Sequence, residues 1–339
     1  MRRVSGRGVF VAPLLALAML AFAHCAVPTA QAEDVVVLAT DGGGTMTVRG
    51  TVLDYRGDGL KIEDHTGVAR TFPAARVIDI RTPLSPQAEE AERRFAAHQW
   101  AEAVPLYQAA RNAETRGWVR LRLTARLVRC LDNLGQAEPA GREFVDVLLA
   151  ADPNTPYFDV CPLPWLPASP DPSLQQAALG WMRSPHPAAR LLGAAHLAAG
   201  PHAVEARSTL QALTTTAPKP IAQAALVQLD RRDILAASED TLRSRERLLR
   251  DMPRNVRGGG YYLLGTAWAQ RQRWEDATAC FMRVVILHDD QYRLAARALA
   301  EAVRCREKLS DRESAERLRY ELTQRFADTP EGEAARAAP

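Results

Sequence analysis

The residues able to carry chemistry in this chain are scattered. Beyond residue 32, histidines stand at His65, His98, His186, His196, His202 and His288. Only His186 and His196 fall close enough to meet across one helical pair, and a metal ion would need further ligands. The adjacent acids Glu89-Glu90 and Asp289-Asp290 fall at helix ends or on exposed faces, where they complement a helix dipole. No Gly-x-x-x-x-Gly-Lys or Gly-x-Gly-x-x-Gly loop occurs to cradle phosphate, and no His-Glu-x-x-His or Gly-x-Ser-x-Gly occurs either. No pair of cysteines has Cys-x-x-Cys spacing. The expectation is a protein with no catalytic residue, no metal and no cofactor, which binds rather than transforms. An uncharacterised envelope hydrolase is the alternative.

Composition narrows the partners. Hydrophobic residues make up 47% and charged residues 24% of 339 residues, ordinary for a globular chain of two or three domains. Lysine occurs only at Lys61, Lys219 and Lys308, so arginine carries nearly all the positive charge, and it is dispersed. Arg2, Arg3 and Arg7 lie in an acid-free leading segment and account for the whole formal charge of +3. The remainder is neutral and has no global field to attract nucleic acid. Those arginines precede an apolar run, Val9 to Ala23, and then Ala30-Gln31-Ala32. This is the order of a secretory leader, with cleavage expected before Glu33. The run is shorter than the about 20 residues of a membrane span. An uncleaved anchor and lipid attachment at Cys25 are the alternatives, the latter disfavoured by His24 before it. The expected location is the periplasm or cell envelope, with no integral membrane span in the mature chain. There Cys130, Cys161, Cys280 and Cys305 would meet oxidising conditions. Cys280 and Cys305 lie on helices expected to be neighbours, so they form either a disulfide or two buried thiols.

The elements that must position any site are of two kinds. Val35 to Arg81 reads as short strands between turns: Val35–Ala39, Thr45–Tyr55, a strand from Leu60, Val68–Phe72 and Val77–Arg81. Asp41-Gly42-Gly43-Gly44 and Arg56-Gly57-Asp58-Gly59 supply hairpin turns. Gly50 in mid-strand predicts a bulge or sharp bend. Five strands in so short a segment resemble a small Sm-like or Src-homology-3-like barrel.

The rest is helical and repetitive. Tyr261, Leu264, Gly265, Trp268, Trp274, Ala277, Phe281 and Val284 predict two antiparallel helices that approach through small residues and fill with aromatics. Trp100, Ala103, Tyr107 and Ala110 begin a similar pattern, followed by Leu127, Leu131, Gly135, Ala140 and Phe144. Ala103 and Ala140 lie 37 positions apart, near a repeat period of about 34. These residues resemble the tetratricopeptide repeat. Gln291 to Ala335 resembles it weakly, with Arg319 where an aromatic is expected. Pro153 to Pro172 holds seven of the 22 prolines and reads as a connection, pinned by Trp165. Leu179 to Leu192, with Pro187 and Arg190, resembles a HEAT-type repeat. Gly258-Gly259-Gly260 reads as a loop before the strong repeat.

The expected architecture is mainly α, a right-handed helical-hairpin solenoid preceded by a small five-stranded β barrel. Its segments are a leader at 1–32, the barrel at 33–83, helical repeats at 84–152, a proline-rich connection at 153–172, HEAT-like helices at 173–235 and repeats at 236–339. The tetratricopeptide resemblance implies partner contacts on the first helix of each pair. Its offsets fall on Arg122, Ala125, Arg129, Asp132 and Asn133, and on Gly259, Tyr262, Thr266, Ala269 and Gln270. The polar members, Arg122, Arg129, Asp132, Asn133, Tyr262, Thr266 and Gln270, are the candidate partner-binding residues. Ala125 stands where carboxylate-gripping members need lysine, so recognition of a chain end by that scheme is not expected. The implied function is an exported scaffold for protein–protein interaction, holding a protein or extended peptide on its concave face. The alternatives are recognition of a cell-wall polymer through the barrel, and a regulatory subunit of an envelope enzyme.

Overall fold

The computed structural model describes residues 33–166 and 170–337, and the leader expected at 1–32 lies outside them. Five strands come first: β1 (Asp34–Ala39), β2 (Thr45–Arg56), β3 (Gly59–Glu63), β4 (Ala69–Phe72) and β5 (Val77–Arg81). Alternation buries Val36, Leu38, Val52, Leu60, Ile62 and Ile80 on one face. The strands form one antiparallel sheet in the order β4-β3-β2-β1-β5. The sheet is open, with β4 and β5 at its two edges, so the expected closed barrel is corrected to an open sheet. At Gly50 the strand changes partner, and the bulge falls just beyond it, between Val52 and Asp54. Up to Gly50, β2 pairs with β1; from Thr51 onward it pairs with β3. A Cβ at Gly50 would run into the Glu63 carbonyl.

The sheet is fastened to the helices that follow. The Trp118 indole N–H donates to the Val52 carbonyl at 3.0 Å and Arg122 to the Ile80 carbonyl at 2.6 Å. Arg116 donates to Thr82 and to the Pro83 carbonyl. Asp152 accepts from the Gly57 amide at 2.7 Å.

Fourteen α-helices follow among the described residues. The first run is α1 (Pro86–Ala96), α2 (Trp100–Ala113), α3 (Gly117–Asn133) and α4 (Ala137–Arg142), which continues as a π-helical stretch, Glu143–Leu149. The middle helices are α5 (Pro172–Met182), α6 (Pro187–Leu197), α7 (Ala203–Thr216), α8 (Lys219–Asp233) and α9 (Glu239–Leu249). The last are α10 (Arg254–Gln270), α11 (Trp274–Leu287), α12 (Tyr292–Lys308), α13 (Arg312–Arg325) and α14 (Pro330–Ala337). Consecutive helices pack from α1 to α8 and from α9 to α14, and α8 also packs on α10. No described helix is long and apolar enough to cross a membrane.

Repetition is visible in the turns. His98, Gly135, Gln272 and Ser310 each have a left-handed backbone, φ between 59° and 75°, between paired helices. At each, the left-handed residue's amide and the next one reach back to carbonyls three and five residues earlier. That pattern stops a helix and reverses the chain. The α1–α2, α3–α4, α10–α11 and α12–α13 hairpins therefore share one turn geometry.

Gly258-Gly259-Gly260 is not a loop but the second turn of α10. Glycine is a poor helix former, and here packing overrides propensity. A Cβ at Gly258 would press on Gln291, at Gly259 on the Trp165 indole and at Gly260 on Leu249. The glycines let three neighbours lie against the bare backbone.

Candidate functional site

The space between α3 and α10 is partly filled by the chain itself. Residues 156–166 run between α3 and α10, with a 3-10 turn at Phe158–Val160. Arg129 donates to the Asp159 carbonyl at 2.7 Å, Asn255 to Phe158 at 3.0 Å and Gln228 to Pro164 at 3.4 Å. Cys161, Leu163 and Trp165 are buried. The segment lacks regular ladders of its own, so these side-chain donors satisfy its carbonyls.

This placement decides the fate of the expected partner-binding residues. Arg129 is 6% exposed, and besides Asp159 it pairs with Asp290 at 3.5 Å. Asn133 is equally buried; it donates to the Asp290 carbonyl at 3.2 Å and accepts from the Tyr292 amide at 3.1 Å. Both join the first helical run to the last. Arg122 is spent on the sheet at Ile80. Asp132 is half-buried, and burial pushes its carboxyl up to about 6 against the pull of Arg129 and Arg293. Tyr262 is buried beside Phe281, with ring centroids 5.8 Å apart. Thr266 donates to the Tyr262 carbonyl, and Gln270 is exposed at the end of α10. Replacing Arg129 or Tyr262 is therefore a test of packing before it is a test of binding.

Three clefts flank the inner segment. One of about 400 Å³ lies against the sheet and includes Arg122, Arg129 and Tyr157. One of about 620 Å³ includes Asp132, Asn133, Trp165, His196, Arg231 and Arg293. The largest, about 820 Å³, lies between α8, α10 and Trp165, with Tyr262 and Thr266 on its wall. Gln228, Arg231 and Arg232 supply its other polar groups, and Ile234, Leu235 and Leu263 its apolar ones. Of the expected residues, Arg122 and Arg129 share the first cleft, Asp132 and Asn133 the second, and Tyr262 and Thr266 the third, while Gln270 lines none of the three. Sequence reasoning missed Gln228, Arg231 and His196 as lining groups. Only their one-turn spacing on α8, for Gln228 and Arg231, hinted at a shared face.

Acid–base groups here are tuned by burial. His196 falls to about 4, through desolvation first and the Arg231 charge second. Arg231 falls to about 10 by desolvation alone. Burial raises every described thiol, Cys130 to about 12, Cys280 to about 12, Cys305 to about 11 and Cys161 well above its ordinary range. Thiols so held are poor nucleophiles. Cys280 and Cys305 are both buried, each as a free thiol. No cluster of three metal-ligating side chains occurs among the described residues.

The buried histidines and carboxyls act oppositely on stability. His288 falls to about 4 through burial, and Asp230 rises to about 6 for the same reason. A depressed histidine costs stability as pH falls from 6.5 toward 4, because the unfolded chain takes the proton first. A raised carboxyl gains stability as pH falls below 6, because the folded chain takes it first. His288→Gln removes one loss, so between pH 7 and 4.5 the variant should gain about 1–2 kcal/mol relative to the parent. Urea melts at the two pH values read this, and parallel profiles would mean a solvated His288.

No protein-family model matches this chain, and no curated protein matches it in sequence.

Proposed function

We propose that this chain is a binding scaffold exported to the cell envelope, built of tetratricopeptide-like and HEAT-like helix pairs, which holds a partner polypeptide on its inner face. The observation that carries the reading is the cleft of about 820 Å³ beside Trp165, open, part apolar and part polar, and walled by Tyr262 and Thr266. A cleft with this mixture suits an extended segment, whose backbone needs hydrogen bonds and whose side chains need apolar contact. The suppressed thiols favour binding over covalent thiol chemistry. The leader at 1–32 supports export.

A photo-crosslinking residue tests the location. Leu235 lines the cleft and is 39% exposed, whereas Tyr320 is 68% exposed on α13 and lines none of the three clefts. A crosslinker at position 235 should capture a discrete polypeptide in the cell envelope, and one at 320 should not. Capture from 320 alone, or from neither, overturns the inner-face assignment. The second reading, a polymer-binding sheet, is favoured by the exposed apolar side chains Leu53, Val68 and Ile78 on strands and turns of the sheet. Retention on purified wall material, lost with Ile78→Asp, would support it.

A further inference from the structure

The largest cleft has two arginines on its wall and no acid. Arg232 is exposed, while Arg231 is drawn inward between the two larger clefts and lines both. The Arg231 Nη1 donates to the Ala195 carbonyl at 2.9 Å and to Gln228 Oε1 at 3.0 Å. Both acceptors are neutral, and no charged group enters the causes that lower its pKa. A desolvated guanidinium without a carboxylate is electrostatically costly. Most charged side chains lining the adjoining cleft are otherwise occupied or opposed: Asp132 faces Arg129 and Arg293, and Asp171 caps α5 through the Leu174 amide. Beside Arg231, the His196 Nε2 is buried and has no hydrogen-bond partner, a second polar group left open at the same place.

We infer that this cleft is a carboxylate site: it receives a carboxylate of the partner polypeptide at Arg231, with Arg232 at its mouth, while the adjoining apolar residue packs on Trp165 and Leu235. The inference rests on the scaffold reading and adds the chemistry of the ligand. Guanidinium binds carboxylate through paired N–H donors, and Arg231 retains donors that its two present acceptors do not use. The shared chemistry admits two sources, a chain-terminal carboxylate or an Asp or Glu side chain. A competing account gives Arg231 only a structural duty. Ala195 lies in the last turn of α6, where carbonyls lack helical partners, and Arg231 satisfies one of them.

Retention of short random peptides on the immobilised full chain separates these. The first pool has free C-termini and no Asp or Glu, the second is C-terminally amidated with Asp and Glu, and the third is amidated and acid-free. One or both carboxylate-bearing pools should be retained about tenfold over the third, and the favoured pool identifies the source. Arg231→Gln should erase that preference. Because that variant also loses a helix-end contact, Arg232→Gln is measured beside it. It should weaken the preference without moving the melting temperature. Equal retention of all three pools, or an unchanged preference in both variants, overturns the carboxylate site and leaves polypeptide binding standing. Retention of none overturns both.

Discussion

Trp165→Ala should destabilise the protein by about 3–5 kcal/mol, the range for truncating a large buried side chain. The indole is 8% exposed and lies against the bare backbone of α10 at Gly259. It also anchors residues 161–166, which form no helix or strand of their own. Removing it exposes the glycine backbone on one side and merges two clefts on the other, since Trp165 lines both. Water entering from those clefts relieves part of the cavity cost, which favours the lower half of the range. Denaturant melts read the effect directly. A change below about 1 kcal/mol is the behaviour of a surface residue, and it would make the proline-rich segment an external strap rather than a filling.

Phe281→Ala should cost a similar amount, about 3–5 kcal/mol, for a different reason. The ring is 1% exposed and lies against Gly265, where a Cβ would collide with it. It is the filler that the close approach of α10 and α11 requires. Phe281 itself lines none of the three clefts, so less water reaches the vacated space than at Trp165. A loss under about 1 kcal/mol in the same melts would show that the two helices meet in another register.

The strong repeat was legible because its signal is local. Tyr261, Leu264, Trp268, Ala277, Phe281 and Val284 are all buried, at the spacing that predicted them. The strands were legible for the same reason, since alternation and turn residues act within a few positions. Closure of the sheet was not legible, because it depends on whether β4 and β5 meet, and neither carries a pattern that says so. The triple glycine misled because propensity is a local average, while Trp165 and Gln291 come from distant parts of the chain and Leu249 from the preceding helix. The candidate partner-binding residues were read from repeat offsets alone. Repeat offsets identify side chains that point inward, and Arg129 and Asn133 do point inward. They do not tell whether the space there is open or taken, and the occupant, residues 156–166, looked like a connection because prolines exclude helix. Arg231 was invisible because its character lies in what it lacks, an acid nearby, and absence of a neighbour has no sequence pattern.

The contacts of Asn133 have a consequence for the order in which this molecule can be made. Its carboxamide is bonded to the Tyr292 amide, 159 positions later in the chain. Arg129 waits likewise for Asp290, and His98 for the Tyr292 ring, 5.0 Å away. An ordinary row of repeats can nucleate anywhere and grow by neighbours alone. Here a nascent chain that has completed α1 to α4 still lacks the Asp290 and Tyr292 partners of Arg129 and Asn133, which arrive only with the segment that opens α12. Closing so long a loop adds slowly to entropy but slows folding, so the first helices are held provisional until the last third of the chain arrives to lock them.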